Sequence, residues 1–186
     1  MKEKKYLSNP LFIFVGLCVI SFLFCNSIAS AQAEEDVHEK FRYFKEKYEE
    51  EFPKDFETVL QTVLSFIGEQ NKCQIMTERV RKNESGLPRG TVRSELCVLA
   101  QHPDTAFIYI RKYALDAPFI RGGKWPNFRV QYIFTVNDLG GGKTNVELQT
   151  ELSGYESHVT VKTHFFQSRG LMEFEAFERI REKLGL

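Results

Sequence analysis

The spacing of apolar residues changes period twice along the part of this chain that follows residue 33. Residues 34–51 are mostly charged, with Val37, Phe41, Phe44 and Tyr48 at steps of four, three and four. That spacing predicts an amphipathic helix or linker. Phe56, Val59, Leu60, Val63 and Ile67 then share one face of a second helix, which Pro53 is placed to open and Gly68 to stop. From Cys73 the period falls to two. Residues 73–81 and 91–99 read as strands joined by a turn-rich connector, and 106–113 as a third strand. Residues 128–136 and 144–152 alternate strictly and flank the Gly-rich segment 137–143, a hairpin signal. Setting Tyr132 opposite Leu148, Phe134 opposite Val146 and Phe128 opposite Leu152 makes one face continuously apolar, as a half-buried antiparallel sheet requires. Residues 159–165 add a short final strand. From about Ser168 the chain returns to helical spacing, with Phe174, Phe177, Ile180 and Leu184 on one arc. At about 1.5–3 kcal/mol for each large side chain fully buried, that arc must dock on the sheet.

The predicted fold is therefore α+β: an antiparallel sheet gripped by a long C-terminal helix and preceded by one or two N-terminal helices. The same alternation bears on Cys73 and Cys97. Pairing Ile75 with Leu96 and Cys73 with Val98 gives the strands an apolar face and turns Cys97 to the other side. Pairing Ile75 with Glu95 and Thr77 with Arg93 brings the cysteines closer but spoils that face. A one-residue slip inverts every side chain, so only one pairing holds. The apolar face is the stronger criterion and argues against a disulfide.

Ahead of these elements, Lys2, Lys4 and Lys5 precede an apolar run of about 14 residues, 11–24, and then the small residues 27–33 with overlapping A-x-A sites. This is the pattern of a secretory signal peptide over 1–33. The run falls short of the roughly 20 apolar residues of a spanning helix. Cys25 follows Phe22-Leu23-Phe24, whereas lipoprotein signals put a small residue before the modified cysteine. The expectation is an exported, periplasmic chain with no integral span after cleavage. Retention of the signal as an anchor is the alternative. The domain division is then 1–33 signal, 34–51 charged helix or linker, and 52–186 folded domain. Removing the signal takes three basic and one acidic residue from 25 of each, leaving a net charge of −2. That balance gives no electrostatic reason to expect nucleic acid as a partner.

Helix, antiparallel meander and long C-terminal helix together resemble the helix-grip START and Bet v 1 superfamily. Three short segments are also similar to the domains of BamC-type envelope lipoproteins: Phe56-Glu57-Thr58-Val59-Leu60, the turn Lys82-Asn83-Glu84-Ser85-Gly86, and Ser168-Arg169-Gly170. The first resemblance implies a module that holds apolar ligands, the second an assembly accessory. Neither implies catalysis.

Chemical motifs point the same way. Gly-x-Ser-x-Gly occurs nowhere, and Gly140-Gly141-Gly142-Lys143 lacks the Ser or Thr and the strand–loop–helix setting of a phosphate loop. His158 and His164 lack acids or cysteines at ligand spacing, so no metal, cofactor or catalytic residue is assigned. Arg79, Arg81, Lys82, Arg89 and Arg93 read either as an anion contact or as a solvated hairpin end paired with Glu78, Glu84 and Glu95.

The 12-residue connection 115–126 holds two prolines, two glycines and the only tryptophan. Connections of that length often carry function. Phe119, Ile120 and Trp125 are expected to line an apolar mouth, with Arg121 or Lys124 meeting an acidic head. Phe128, Tyr132, Leu148 and Phe177 would line the cavity between sheet and C-terminal helix. On this reading Trp125→Ala spares stability and weakens ligand uptake. The expected activity is an exported, non-catalytic binding protein for an apolar or lipid-like ligand. The alternative is a protein-interaction module in cell-envelope assembly, in which those same core residues are packed solid.

Overall fold

A computed structural model describes residues 41–70 and 73–186. The expected signal and the first part of the 34–51 helix lie outside these residues. Of the unit Met1–Arg42 only residues 41 and 42 are described, and Tyr43–Leu186 forms the other compact unit.

This second unit is α+β. Its elements run β1 (Glu49–Phe52), α1 (Phe56–Glu69), β2 (Ile75–Lys82), β3 (Pro88–Ser94), β4 (Cys97–Ala100), α2 (Pro103–Tyr113), β5 (Asn127–Gly140), β6 (Lys143–Glu156), β7 (Lys162–Phe166) and α3 (Leu171–Leu184). Seven strands make one antiparallel sheet in the order β1-β6-β5-β3-β2, with β4 also on β5 and β7 also on β6. Residues 49–51, assigned in the sequence to the end of the charged helix or linker, are thus part of an edge strand that ends on the fully buried Phe52.

Helix α1 starts where Asp55 accepts the Thr58 N–H at 3.0 Å and its hydroxyl at 2.7 Å. This is a side-chain N-cap, so the helix opens on Asp55 and not on Pro53. It runs through Gly68 and is closed by the Gln70 N–H on the Ile67 carbonyl. Phe56, Val59, Leu60, Val63, Phe66 and Ile67 are its buried face.

The central hairpin is longer and tighter than the alternation alone suggests. Strands β5 and β6 continue into the glycines and turn through Gly141 and Gly142, with φ of +64° and +75°. Two successive residues at positive φ match the right-handed twist of the flanking strands. The register moves two residues from the one predicted: Tyr132 faces Thr150, Phe134 faces Leu148 and Phe128 faces Gly154. A shift of two preserves the faces, so Val130, Phe134, Val136, Val146, Leu148 and Leu152 still form the apolar side.

Three further expectations fail. Residues 106–113 form α2 and not a strand. Pro103 starts the helix, Arg111 and Lys112 lie in its last turn, and Ala106, Ile110 and Tyr113 bury one side. Those charges suit the helix dipole, and the burial steps of four and three are helical. The segment 91–99 is interrupted: β3 ends at Ser94 and β4 resumes at Cys97, after an exposed Leu96. Finally, β2 pairs with β3 as Thr77 on Arg93 and Arg79 on Thr91, the register the apolar criterion rejects. That criterion has no force on this strand. Ile75, Met76 and Val80 are exposed, so no burial energy selects their side. The break at 95–96 instead turns Cys97 into the core, where it forms a disulfide with Cys73, Cα–Cα 4.5 Å.

Helix α3 begins after Gly170 (φ +90°) and buries Met172, Glu173, Ala176, Phe177, Ile180 and Leu184. Phe174 leaves the predicted arc. It is 43% exposed and stacks obliquely on Tyr43, centroids 4.9 Å apart.

Candidate functional site

The residues chosen from the sequence divide into three groups. Phe119 is 89% exposed and Arg121 is exposed, while Ile120 packs partly against the core. Trp125 is 3% exposed, with its ring edge-on to His164 and Phe166, so it is a core residue and lines no mouth. Phe128, Leu148 and Phe177 are buried within the same apolar core, and Tyr132 lies among them at the edge of a cleft. The eight residues therefore do not converge on one cavity.

The loop that carries Trp125 is held from both sides. Glu156, buried at the end of β6, accepts N–H groups from Lys124 (3.0 Å), His158 (2.7 Å), Val159 (3.0 Å) and Thr160 (2.5 Å), and the Thr160 hydroxyl at 2.8 Å. Burial alone would raise its pKa. The backbone donors together outweigh that and hold the carboxyl well below the ordinary glutamate range. The Ser157 N–H returns a bond to the Lys124 carbonyl. The β6–β7 turn and the 115–126 connection are thus tied together at one carboxylate, which a gating loop would have to break.

Between α1, α2 and α3 lies a cleft of about 230 Å³ walled by Tyr109, Tyr113, Tyr132, Met172 and Arg179. Tyr132 is buried, its phenol raised by desolvation, and its hydroxyl donates to the Met172 thioether at 3.4 Å. At the cleft's rim Tyr113 donates to Glu175 at 2.8 Å and receives Lys112 Nζ at 2.9 Å. Of the four residues predicted to line the cavity, Tyr132 alone borders this cleft.

A wider groove of about 610 Å³ opens on the opposite edge of the hairpin. There β1 covers β6 up to Glu147 and β7 resumes at Leu152, which leaves 149–151 without a strand neighbour on that side. Phe44, Tyr48, Phe165 and Phe166 supply apolar wall, and Glu173 lies at the floor. Glu173 is 1% exposed. It accepts the Thr150 hydroxyl at 2.5 Å and the Ser168 hydroxyl at 2.7 Å. Desolvation raises its pKa, and the two hydroxyls pull only partly the other way. Tyr48 beside it is also raised, by burial first and by the nearby glutamate in addition.

Sequence reading missed this groove because Glu173 looks like a solvated helix residue beside Glu175. Its one local signal is Ser168, five residues earlier. Thr150 comes from a strand distant in sequence. Comparison with family models, curated proteins and solved structures gives no significant match to this chain.

Proposed function

We propose that this chain is an exported, non-catalytic protein-interaction module of the helix-grip type, working in the cell envelope. The observation that carries the reading is the solid packing of Phe128, Leu148 and Phe177, each 5% exposed or less, where an apolar ligand would have to lie. The cleft bordered by Tyr132, about 230 Å³, falls below the roughly 300–1,000 Å³ of ordinary small-molecule sites.

Two further features support it. Helix α3 packs on the same face of the sheet as α1, which fits a helix-grip arrangement, although α2 is inserted between β4 and β5. The three segments similar to envelope lipoprotein domains fall at the start of α1, at the β2–β3 turn and at the entry to α3, the junctions that set this arrangement. The surface offered to a partner is the groove over β6, where Phe165 stands 77% exposed beside Phe44 and Tyr48.

A photo-crosslinking residue at Phe165 tests the proposal, with the exposed Ile108 of α2 as control. One discrete protein adduct from Phe165 and none from Ile108 is the expected result. Absence of an adduct at both positions overturns the groove. Native mass spectrometry supplies the competing outcome: a lipid-sized mass that is lost on denaturation favours a carrier using the tyrosine cleft.

A further inference from the structure

The outer face of the β2–β3 hairpin gathers cations that no described acid neutralises. Register sets Arg81 directly across from Arg89, and Arg79 across from Thr91. Like charges placed opposite one another on antiparallel strands oppose folding. Strand alternation sends Glu78 to the other face, opposite the buried Val92. Glu78 therefore does not pair with it, and neither Glu84 nor Glu95 forms an ion pair with these cations among the described residues. Elsewhere in the described structure Lys47, Lys112, Arg181 and Lys183 each meet a carboxylate. Arg79, Arg81, Lys82 and Arg89 form no ion pair among the described residues.

These four side chains, with Ser85 and Thr91, line a depression of about 680 Å³. Glu84 is the one acid on its wall, so a surplus of three positive charges remains. The hairpin end is built rather than loose. Asn83 Oδ1 accepts the N–H groups of Ser85 and Leu87, each at 3.0 Å, and Asn83 N–H donates to the Leu87 carbonyl at 2.8 Å. Gly86 takes φ +79° to close the turn.

We propose that this face binds a phosphate-bearing ligand, with Arg81 and Arg89 as a pair of forks on one phosphate, Arg79 flanking them, and Lys82 reaching the depression from the end of the hairpin. Guanidinium forks match phosphate oxygens two at a time. A dianion relieves the repulsion across the ladder, which a single carboxylate does only in part. Serine and threonine hydroxyls on the same wall add neutral donors. The proposal is independent of the groove over β6, which lies on the other side of the sheet order.

Two probes separate the sources of such a phosphate. Inorganic pyrophosphate is titrated calorimetrically into the purified protein at low salt, with chloride at matched ionic strength as control. Phosphatidylcholine vesicles with and without phosphatidylglycerol are tested by flotation. The variants are Arg89→Gln and Arg81→Glu. The second replaces a repulsive cross-strand pair by an attractive one, so its melting temperature should rise while binding falls. Loss of one charged contact should weaken binding roughly tenfold or more in each variant. Pyrophosphate binding without flotation assigns a soluble phosphoester. Flotation that depends on phosphatidylglycerol and is lost in both variants assigns a lipid headgroup. Binding of neither probe, or affinities within twofold of the parent in both variants, overturns the site.

Discussion

A Cβ built on Gly154 would stand 3.2 Å from Trp125 Cε3 and 3.2 Å from Ile110 Cδ1. The indole rests on bare strand backbone, in a space that any side chain on Gly154 would fill. The only tryptophan of the chain is thus a wedge between the 115–126 connection, β6 and α2.

Trp125→Ala should cost about 3–5 kcal/mol, because a buried ring is removed and its site cannot fully collapse. Gly154→Ala should cost roughly 1–3 kcal/mol by overpacking the same contact. Phe119→Ser, on the same connection but 89% exposed, should stay within about 0.5 kcal/mol of the parent. Urea denaturation of the three variants checks this. A Trp125→Ala protein as stable as the parent would restore the mouth the sequence suggests.

Glu173 gives a pH dependence whose sign follows from burial. Its pKa in the folded protein is raised above the ordinary 4.5, so the folded state holds the proton more tightly than the unfolded chain. The stability this contributes is fully present below that ordinary value and is lost as pH rises through the folded pKa. Glu173→Gln keeps a neutral group between Thr150 and Ser168. Its melting temperature should therefore fall less than that of the parent as pH increases above 4.5. Parallel curves for the two proteins would refute a raised pKa at this site.

The disulfide closes a loop between residues 24 apart, Cys73 and Cys97. In the chain-entropy account a loop of that length contributes about 3.5 kcal/mol by restricting the unfolded chain. Reductant should lower the denaturation midpoint of the parent and leave Cys73→Ala/Cys97→Ala unaffected. An intact mass two hydrogens below the reduced value identifies the bond directly.

Gly170 tests the wall of the groove. A Cβ there would collide with the Tyr43 carbonyl oxygen and lie 2.6 Å from Tyr48 Oη, and its φ is +90°. Backbone strain and overpacking each cost about 1–3 kcal/mol, so Gly170→Ala should displace the 43–48 segment as well as lower stability. Faster amide exchange over 43–48, with β5 and β6 still protected, is the expected signature. Unchanged exchange there would mean that this segment is not held by the approach to Gly170.

The legible parts of the fold share a local cause. The face of α1 repeats Phe56, Val59, Leu60 and Val63 at helical spacing, so its period alone identifies it. The β5–β6 hairpin alternates over residues 127–136 and 143–152, and its glycines meet a backbone demand at positive φ. Its register moved by two because the turn is centred on Gly141 and Gly142 and not on residue 140, with an irregularity between Asp138 and Gly140. The faces survived because two is the strand period. Helix α2 was illegible because Phe107-Ile108-Tyr109-Ile110 satisfies alternation and helical spacing equally over so short a span.

What the sequence by itself determined is the α+β class, the central antiparallel hairpin, α1 and the docking of a C-terminal helix through Phe177, Ile180 and Leu184. Each follows from a repeat whose period is set by backbone geometry and whose apolar face must leave water. Only the tertiary structure decided that Trp125 is core, that Cys73 meets Cys97, and that Glu173 sits under Thr150 and Ser168. It also decided that Arg81 stands opposite Arg89. These depend on which strands and loops meet across long sequence separations. An exposed edge strand such as β2 carries no burial signal by which its register could be read in advance.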